Sequence, residues 1–541
     1  MLGPDPRRRA QPIEKGDTVK GNKALTRRSF IGGATMAAAG IAATKLTGCS
    51  EPQGAMDAQE WDGEYDVIVC GAGLAGLASA ITVAREGEGA SCLLLEKDVS
   101  ANGNSPFCAG SMLYCEDPDA FMTYLDAMIG DSTPDDVKRA FAEELAHNLT
   151  WLHDLGAKEE WLEVGPPDDS KLGEWPEFPN DNTYGRIKFK KDSDGPTHIF
   201  QFFQDVMQAQ GDAITFMTST PMTSLVQNPE SKAIEGVVAN DKRYKARKGV
   251  IMCTGGFESD PEMLYHYTNV KGVFPYAGKT NTGDGHRACM KVGADFWHMA
   301  GGAQYWMGLR DLANSKFLST TWNFTTKQHG ITVGINGRRF YQDYDACSCP
   351  TKPYAEADSD IRLNVGYRHG LTQFGGNWTH LPFPEKAWFI FDAEGLAAGA
   401  FPEDVSADPI ADGWMLTAES VEELAGAIDV PADELQKTVE QWNEFCERGE
   451  DLAFYRPPDT LQKIAEPPFH AMLCVPSMLN TDGGPVRSPK AEILDPFGEP
   501  IPHLFSAGEF GSVWGHLYQG TGNVGECAAF GRIAARSALS S

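Results

Sequence analysis

The sequence predicts an α/β fold, and three features carry this prediction. Residues 65–70 form a short apolar run rich in β-branched side chains, which is typical of a parallel strand buried on both faces. A glycine-rich turn and an alanine-rich helical stretch, residues 74–86, follow at once. A second strand, glycine-rich turn and helix occupy residues 504–537. Together they indicate a Rossmann-like domain that is discontinuous, because two distant stretches of chain contribute to it.

The turn after the first strand carries the spacing GxGxxG, with Gly71, Gly73 and Gly76. The first glycine makes the tight turn, the second lets the backbone approach a pyrophosphate, and the third lets helix and strand pack closely. The helix start, at Leu74 and Ala75, directs unpaired N–H groups and a positive dipole end at the phosphates. We therefore predict that these five residues bind the diphosphate of a dinucleotide.

A second predicted strand, residues 91–96, ends in Glu96. An acidic side chain about 20 residues beyond the last glycine accepts hydrogen bonds from ribose hydroxyls. Lys97 follows it, and the polar loop with Asn104 and Ser105 would continue along the pyrophosphate toward the rest of the cofactor. These residues complete a dinucleotide site, but the fingerprint alone does not separate NAD from FAD.

Two further turns are expected beside the dinucleotide. A short buried strand, residues 249–253, leads to a second turn of small residues, namely Thr254, Gly255 and Gly256. Asp284 precedes a helical stretch that begins at His286, and we expect its side chain to cap that helix.

The end of the chain favours FAD. A strand at residues 504–506 leads to Glu509, and Asn523 and Val524 open a helix that runs to Ser537. That helix start can stabilise negative charge on the pyrimidine edge of a flavin, as reduced flavin requires. Glu509 is placed to hold the ribityl chain.

The chain of 541 residues is too long for one core and divides into five segments. We expect the FAD-binding domain in two pieces, residues 64–295 and 468–541. Between them, residues 296–467 are rich in aromatic side chains and polar loops and contain one amphipathic helix, residues 432–447. This stretch is predicted to be an inserted α+β capping domain. Residues 50–63 are a linker.

Residues 1–49 are predicted to be a targeting segment. Arg27 and Arg28, followed by Ser-Phe-Ile, match the twin-arginine export signal, and the apolar run after them is too short to span a bilayer. Leu-Thr-Gly-Cys, ending at Cys49, resembles a lipoprotein box. An ordinary cleavage site beside a cysteine is the alternative. We expect the protein in the periplasm or on the outer face of the cytoplasmic membrane, with membrane contact only through lipid at Cys49.

Charge and cysteine spacing exclude several classes of partner and cofactor. The net charge of −29 repels nucleic acid and anionic membranes. The twelve cysteines contain no CxxC or CxxCH spacing, so the sequence predicts no metal site and no c-type haem. Folding in a reducing compartment before export favours free, mostly buried thiols.

These motifs carry a family resemblance. The chain resembles the flavoproteins that include soluble fumarate reductases and 3-ketosteroid dehydrogenases over roughly residues 65–537. The resemblance implies a cap that closes over the flavin of a two-piece FAD domain. The segments that carry it are residues 71–76, Glu96, Asn104-Ser105, residues 254–256, 282–285, 337–340, 507–509 and 518–523.

The departures from that family favour the ketosteroid dehydrogenase-like branch. Fumarate reductases hold a dicarboxylate with His and Arg side chains, but the matching positions here are Asn480, Gln519 and Cys347. By contrast, residues 518–522 resemble the stretch in which a tyrosine hydroxyl and a glycine N–H grip a substrate ketone, which names Tyr518 and Gly522. The second catalytic tyrosine of those enzymes would fall at Cys347, so that part of the resemblance fails.

The resemblance implies an FAD-dependent oxidoreductase that reduces or introduces a C=C bond adjacent to a carbonyl in an apolar, ring-containing substrate. Hydride would pass at flavin N5 while Tyr518 and the N–H of Gly522 stabilise the developing enolate. Tyr341, Tyr344 and Asp345 are unranked candidates for the proton donor.

Two alternatives stay open from the sequence. One is a fumarate reductase-like enzyme that reduces an unsaturated carboxylic acid as a respiratory electron acceptor. The other is a lipid-anchored flavoprotein subunit that only transfers electrons. Each reading needs an external electron donor or acceptor, such as a quinone, a cytochrome or another flavoprotein.

Overall fold

The computed structural model describes residues 60–168, 174–175, 178–302, 305–320, 330–340, 385–399, 401, 405–454, 456, 458–515 and 517–541. The predicted export signal and lipoprotein box lie outside these residues, as does most of the predicted linker. The three candidate proton donors, Tyr341, Tyr344 and Asp345, also lie outside them.

The larger sheet has eight strands and is called the nucleotide sheet below. Five of its strands pair in parallel, and in order across the sheet they are Pro500–Ser506, Lys242–Met252, Gly63–Cys70, Cys92–Leu95 and Ile214–Met217. Three antiparallel strands complete it: Glu492–Leu494, Met222–Gln227 and Ile234–Ala239. The buried runs 67–70 and 92–95 explain the unbroken apolar stretches in the sequence, since both of their faces are covered.

Helices cover both faces of this sheet. On one face Leu77 and Ile81 of helix Leu74–Glu86 share a core with Val67 and Val69 of the first strand. On the other face Ile68 and Leu93 pack with Ala288 of helix Asp284–Lys291. The terminal helix Gly522–Leu539 packs against Leu74–Glu86, and Gly531 lies over Ala78 at the contact.

Residues 118–154 contain three helices, Pro118–Ile129, Asp135–Leu145 and Asn148–Asp154. Pro134 is the N-cap residue of the second one. The other helices of this part are Ile199–Ala209 and Pro261–Thr268. Two small sheets accompany them, one of Ser111–Cys115, Leu162–Gly165 and Tyr184–Phe189, and one of Phe296–Trp297 and Gly484–Pro485.

The predicted capping role of Asp284 is wrong. The helix begins at Asp284 itself, and its N-cap residue is Gly283, whose φ of 70° is left-handed and therefore suits glycine. The Asp284 carboxylate instead pairs with Lys97 Nζ at 2.8 Å.

A seven-stranded sheet, called the cap sheet below, belongs to the inserted α+β part. Its strands are Phe274–Pro275, Tyr305–Arg310, Phe317–Thr320, Ile331–Gly334, Ala387–Phe391, Leu416–Ala418 and Phe469–Met478. Helices Ala393–Gly399, Val421–Ile428 and Ala432–Arg448 lie in the same part. Trp388 of this sheet shares a core with Leu424 and Trp442 of the last two helices.

The strand Phe469–Met478 corrects a predicted domain boundary. The prediction places it in the second piece of the FAD-binding domain, but it pairs with Tyr305–Arg310 on one edge and Ala387–Phe391 on the other. All ten of its residues are buried. Such an apolar run indicates a central strand but does not indicate which sheet the strand joins. Because the strand pairs within the cap sheet, the boundary between the capping domain and the second piece of the FAD-binding domain lies after Met478.

Single turns of 3₁₀ helix occur at Ser105–Phe107, Gly130–Ser132, Glu159–Trp161, Gly211–Ala213 and Pro458–Thr460. Within the described ranges, no helix has both the length and the apolar character needed to cross a membrane. The cysteines of those ranges are free thiols.

Candidate active site

A cleft of about 980 Å³ opens at the carboxyl ends of the parallel strands. Its lining includes Cys70, Leu95, Cys253 and Ala507, each at or just after the end of a different strand of the nucleotide sheet. Ligands of open α/β sheets bind outside the carboxyl ends of the strands. The sheet therefore places the candidate site where its topology predicts it.

The cleft collects most of the predicted cofactor residues. Gly76 and Gly256 are absent from its lining, whereas the following residues line it: Gly71, Gly73, Leu74, Ala75, Glu96, Lys97, Asn104, Ser105, Thr254, Gly255, Asp284, Glu509, Asn523 and Val524.

The three fingerprint glycines serve different contacts. Gly71 has a left-handed φ of 100°, and a Cβ there would strike the carbonyl of Cys253. A Cβ on Gly76 would strike the carbonyl of Gly71, so this glycine permits helix–strand packing and does not face the cleft. A Cβ on Gly73 would lie 3.3 Å from Ser105 Oγ, its nearest neighbour. Gly73 itself lines the cleft.

Ser105 and Glu96 fix the loops around the helix start. The N–H of Leu74 donates to Ser105 Oγ at 2.8 Å, which leaves the serine O–H to donate in another direction. The buried Glu96 accepts from the N–H of Ala72 at 2.8 Å and of Asp98 at 2.9 Å, one bond on each oxygen. Each oxygen keeps a lone pair, so the carboxylate can still accept from two ribose hydroxyls.

Lys97 lies at the edge of the cleft and forms an ion pair with Asp284. Its Nζ also donates to Thr282 Oγ1 at 2.7 Å. Both side chains are partly exposed, so the pair adds little stability and serves mainly to join two loops that line the cleft.

Asn104 is a buried link between two acids. Its Nδ2 donates to Glu258 Oε1 at 2.9 Å and to Glu509 Oε2 at 3.1 Å, and its Oδ1 accepts the N–H of Gly278 at 2.9 Å. The sequence analysis missed Glu258, which lies two residues after the predicted turn 254–256. Its position after a strand end was a usable signal, but a single glutamate has no spacing pattern to identify it.

Four acids lie close together in this region. Glu258, Asp482 and Glu526 are buried, and Glu509 lines the cleft. Burial raises the pKa of each one, and for Asp482 and Glu509 neighbouring carboxyls raise it further. For Glu526 the raised pKa is about 7, because the nearby guanidinium of Arg487 opposes the effect of burial. The region thus favours protonated carboxyl groups.

Arg487 holds the loop that carries Glu509. Its side chain is fully buried, with Nη1 3.2 Å from Glu526 Oε1 and Nη2 donating to the carbonyls of Gly508 and Phe510 at 2.8 and 3.2 Å. Glu526 in turn accepts from Ser512 Oγ at 2.6 Å. The terminal helix is thereby tied to the loop after strand Pro500–Ser506.

Tyr518 lies at the start of the terminal helix. Its buried hydroxyl oxygen accepts the N–H of Asn523 at 3.2 Å, and its ring meets Trp514 edge to face at 5.7 Å. Burial raises the pKa of Tyr518 well above its usual value, so the phenol keeps its proton. Tyr518 itself does not line the cleft, but Asn523 does.

The predicted use of the Gly522 N–H is not supported by the structure. That N–H donates to the carbonyl of Gln519 at 2.8 Å and would have to leave it to reach a substrate carbonyl. A Cβ on Gly522 would also strike the Trp514 ring, so the glycine is needed for packing.

Glu174 holds the segment after Tyr518 in place, and sequence reasoning missed it. Its Oε2 accepts from Gln519 Nε2 at 3.0 Å and from the N–H of Gly520 at 2.9 Å. The neighbouring Trp175 donates from Nε1 to the carbonyl of Tyr518 at 3.1 Å. These partners are more than 340 residues apart in the chain, so no local pattern could have revealed the contact.

Two of the three positions that match anion-binding residues of fumarate reductases carry amides held by acids, and the third, Cys347, lies outside the described residues. Asn480 Nδ2 donates to Asp482 Oδ1 at 2.8 Å, and Gln519 donates to Glu174. The arginines of the turn at residues 337–340 are also engaged, because Arg338 pairs with Glu434 and Arg339 with Asp451.

The buried polar atoms around Asn523, which lines the cleft, fit a flavin. Four of them find no hydrogen-bond partner among the residues that the structure describes: Asn480 Oδ1, Asp482 Oδ2, Thr521 Oγ1 and Asn523 Oδ1. The pyrimidine edge of a flavin offers both donors and acceptors to such a set. Glu96 and the first helix start then suit the ribose and diphosphate of the same cofactor.

Comparison with known proteins agrees with this site. The family model described as an FAD binding domain matches residues 66–524. Digoxin reductase of Eggerthella lenta is 27% identical over 578 residues, which cover 95% of this chain and 97% of that protein.

Solved structures share the fold. The 3-ketosteroid Δ1-dehydrogenase from Sterolibacterium denitrificans, in complex with 1,4-androstadiene-3,17-dione, gives a TM-score of 0.69 at 20% identity over 88% of this chain and 99% of that chain. An open flavocytochrome c3 fumarate reductase gives 0.63 at 22% identity over 89% and 79%. The predicted resemblance, the fold class and FAD as cofactor are confirmed.

Proposed function

Because this chain belongs to the FAD binding domain family, we propose that it reduces a C=C bond adjacent to a carbonyl in a neutral, ring-containing substrate. The chain is an FAD-dependent oxidoreductase that acts on CH–CH groups. The direction of reduction is supported by the near full-length similarity to a digoxin reductase.

The bound FAD supplies hydride chemistry at the flavin ring. The chain's own residues hold and orient it: Glu96 receives the ribose, the helix start at Leu74 faces the diphosphate, and Asn523 with the terminal helix start faces the flavin. The positive end of that helix favours negative charge beside it.

The observation that carries the substrate class is the pairing of amides with acids at Asn480 and Gln519, two of the three positions that match anion-binding residues. Glu174 accepts from Gln519 and lies 3.9 Å from Arg186, so it is a carboxylate with its own partners. A substrate carboxylate about 5 Å from such an acid would be destabilised by about 3 kcal/mol at an effective dielectric constant of about 20. A neutral carbonyl avoids this repulsion.

Tyr518 is the donor that we assign to the substrate oxygen. Its oxygen accepts the N–H of Asn523, so the hydroxyl is held at the helix start. A phenol held in this way can donate to a carbonyl oxygen that gains charge in the transition state. Glu174 and Trp175 fix the position of the Tyr518 backbone and of the residues after it.

A reoxidation screen tests the proposed function. The purified FAD-loaded protein is reduced chemically without oxygen, and its absorbance is followed after addition of cyclic enones, a cinnamate-like acid or fumarate. We expect rapid reoxidation by neutral enones and slow reoxidation by either acid. Reoxidation by fumarate alone would contradict the substrate class, and no reoxidation by any of them would favour a subunit that only transfers electrons.

We further propose export by the twin-arginine route, supported by Arg27-Arg28 and the apolar run after them. Cys49 would then carry a lipid on the outer face of the cytoplasmic membrane. Replacing both arginines with lysine should retain the protein in the cytoplasm, and Cys49→Ala should release it from membranes after export. Normal export of the lysine variant would refute the route.

The reductase needs electrons from outside the chain. The sequence has no CxxCH haem motif, so we infer an external quinone, cytochrome or flavoprotein as donor. Reduction of the bound FAD by membranes supplied with a quinol, but not by soluble cytochrome, would select among these donors.

A further inference from the structure

A chain of alternating carboxyl and carboxamide side chains runs beside the cleft, and we call it the carboxyl–amide chain. In every link an amide nitrogen is the donor. The links are Asn281 to Glu258 at 2.6 Å, Asn104 to Glu258 at 2.9 Å, Asn104 to Glu509 at 3.1 Å, Asn523 to Glu509 at 3.5 Å, Asn523 to Asp482 at 3.4 Å and Asn480 to Asp482 at 2.8 Å.

The direction of these bonds limits where a proton can lie. Amide N–H groups only donate, so a protonated carboxyl in the chain must direct its own O–H elsewhere. Glu258 Oε2 already accepts from Thr481 Oγ1 at 3.2 Å. Asp482 Oδ2, by contrast, is the one buried carboxyl oxygen of the described residues that has no hydrogen-bond partner.

This oxygen lies beside the flavin end of the cleft. Asp482 is 1% exposed, and Asn523, which bonds its other oxygen, lines the cleft. The Oδ1 atoms of Asn480 and Asn523 are likewise buried without a partner. The unpartnered atoms point to a ligand at this place, and the cofactor is the ligand that the cleft accepts.

The charged and titratable groups that face Asp482 come from several elements. They are Glu258 after strand Lys242–Met252, Glu509 after strand Pro500–Ser506, Glu526 of the terminal helix with its partner Arg487, and Tyr518 before that helix. His286 Nε2 donates to the carbonyl oxygen of Gly483, the residue after Asp482, at 2.9 Å. Burial raises the pKa of Asp482 well above its usual value, with Glu526 and Glu258 acting in the same direction and the two asparagines against it.

We propose that Asp482 Oδ2 is a proton-binding site coupled to the redox state of the bound FAD. When the cofactor accepts two electrons from an external reductant, this carboxylate takes one proton from solvent and becomes a carboxylic acid. When the cofactor is reoxidised, the O–H bond breaks and the proton is released. Asp482 itself is neither oxidised nor reduced, and the inference does not depend on the substrate.

The physical reason is the negative charge that reduction adds to a cleft already lined by acids. The added charge disfavours an ionised Asp482, so its proton affinity is higher in the reduced protein than in the oxidised one. At pH values between the pKa of Asp482 in the oxidised protein and its higher pKa in the reduced protein, each reduction takes up one extra proton.

A redox titration against pH tests the proposal. The FAD-loaded wild type and Asp482→Asn, which keeps the shape and the Oδ1 acceptor, are titrated with mediator dyes between about pH 6 and pH 9. One extra proton changes the two-electron reduction equilibrium tenfold per pH unit, or about 30 mV. We expect the wild-type potential to fall more steeply by this amount over part of the range. Asp241→Asn, on an exposed left-handed turn where asparagine is tolerated, should match the wild type.

A second measurement needs no variant. Protons taken up on reduction of the wild type are counted with an indicator dye in weakly buffered solution, and we expect about one more per FAD than free FAD takes up at the same pH. Equal slopes in wild type and Asp482→Asn, or the same proton count as free FAD at every pH, would overturn the proposal. If Asp482→Asn does not retain FAD, the wild-type count decides. No substrate is present, so failure of the proposed function would not affect either result.

Discussion

Replacing Tyr518 with phenylalanine separates the chemical role of its hydroxyl from the packing of its ring. The edge-to-face contact with Trp514 at 5.7 Å remains, and the hydrogen bond from the N–H of Asn523 is lost. A buried N–H left without an acceptor costs about 1–3 kcal/mol of folding stability. The melting temperature should therefore fall modestly while FAD stays bound.

The effect on the reaction should be larger. Loss of one donor to a developing oxyanion slows turnover by about 10²- to 10³-fold, or about 2.7–4 kcal/mol of activation free energy. The assay is single-turnover reoxidation of the reduced protein by its enone, with flavin content and melting temperature measured on the same samples.

Tyr114→Phe is the matched control, because Tyr114 is 3% exposed in the same core and does not line the cleft. It should turn over at the wild-type rate. Wild-type rates in Tyr518→Phe, or equal losses in both variants, would refute the carbonyl-donor role of Tyr518.

Three further predictions follow from the site and its surroundings. Glu96→Ala should weaken FAD retention on dilution and lower the unfolding free energy of the cofactor-free protein by about 2–6 kcal/mol, because two backbone N–H groups lose their acceptor; unchanged FAD affinity would exclude the ribose role. Gly76→Ala should destabilise folding by at least about 2 kcal/mol through its clash with the turn, whereas Gly426→Ala, whose Cβ meets open space in a helix, should stabilise it slightly. Burial lowers the pKa of His286 from 6.5 to about 4. Its contribution to folding stability is therefore fully present above pH 6.5 and decreases by about 3 kcal/mol as the pH falls to 4. Urea unfolding of wild type and His286→Gln at both pH values checks this, and a constant difference between them would contradict it.

The parts of the site that the sequence predicted are those whose chemistry is local. The strand, glycine turn, helix and acid from residue 65 to Glu96 depend on spacing alone, and helix Leu74–Glu86 has the predicted bounds. Asn104 and Glu509 were predicted to meet the cofactor separately, but nothing local could show that Asn104 donates to Glu509, 405 residues away, and to Glu258, 154 residues away.

The misassigned elements have a common cause. Strand Phe469–Met478 reads as buried in either sheet, and only its pairing partners decide which one. The N–H of Gly522 has a plausible role in a short motif until Gln519 is seen to accept it. In both cases the local sequence does not show the contact that decides the assignment.

The contact between the first helix and the terminal helix has a consequence for biosynthesis. Leu74–Glu86 must pack against residues near the end of the chain, including Gly531, before one face of the nucleotide sheet is covered. Asn523 and Val524, which line the cleft, belong to the same late-made segment. A nascent chain in which helix Gly522–Leu539 has not yet emerged from the ribosome therefore cannot assemble a complete cofactor site. FAD capture follows the emergence of that helix, and deletion of the helix should yield a protein that never becomes yellow.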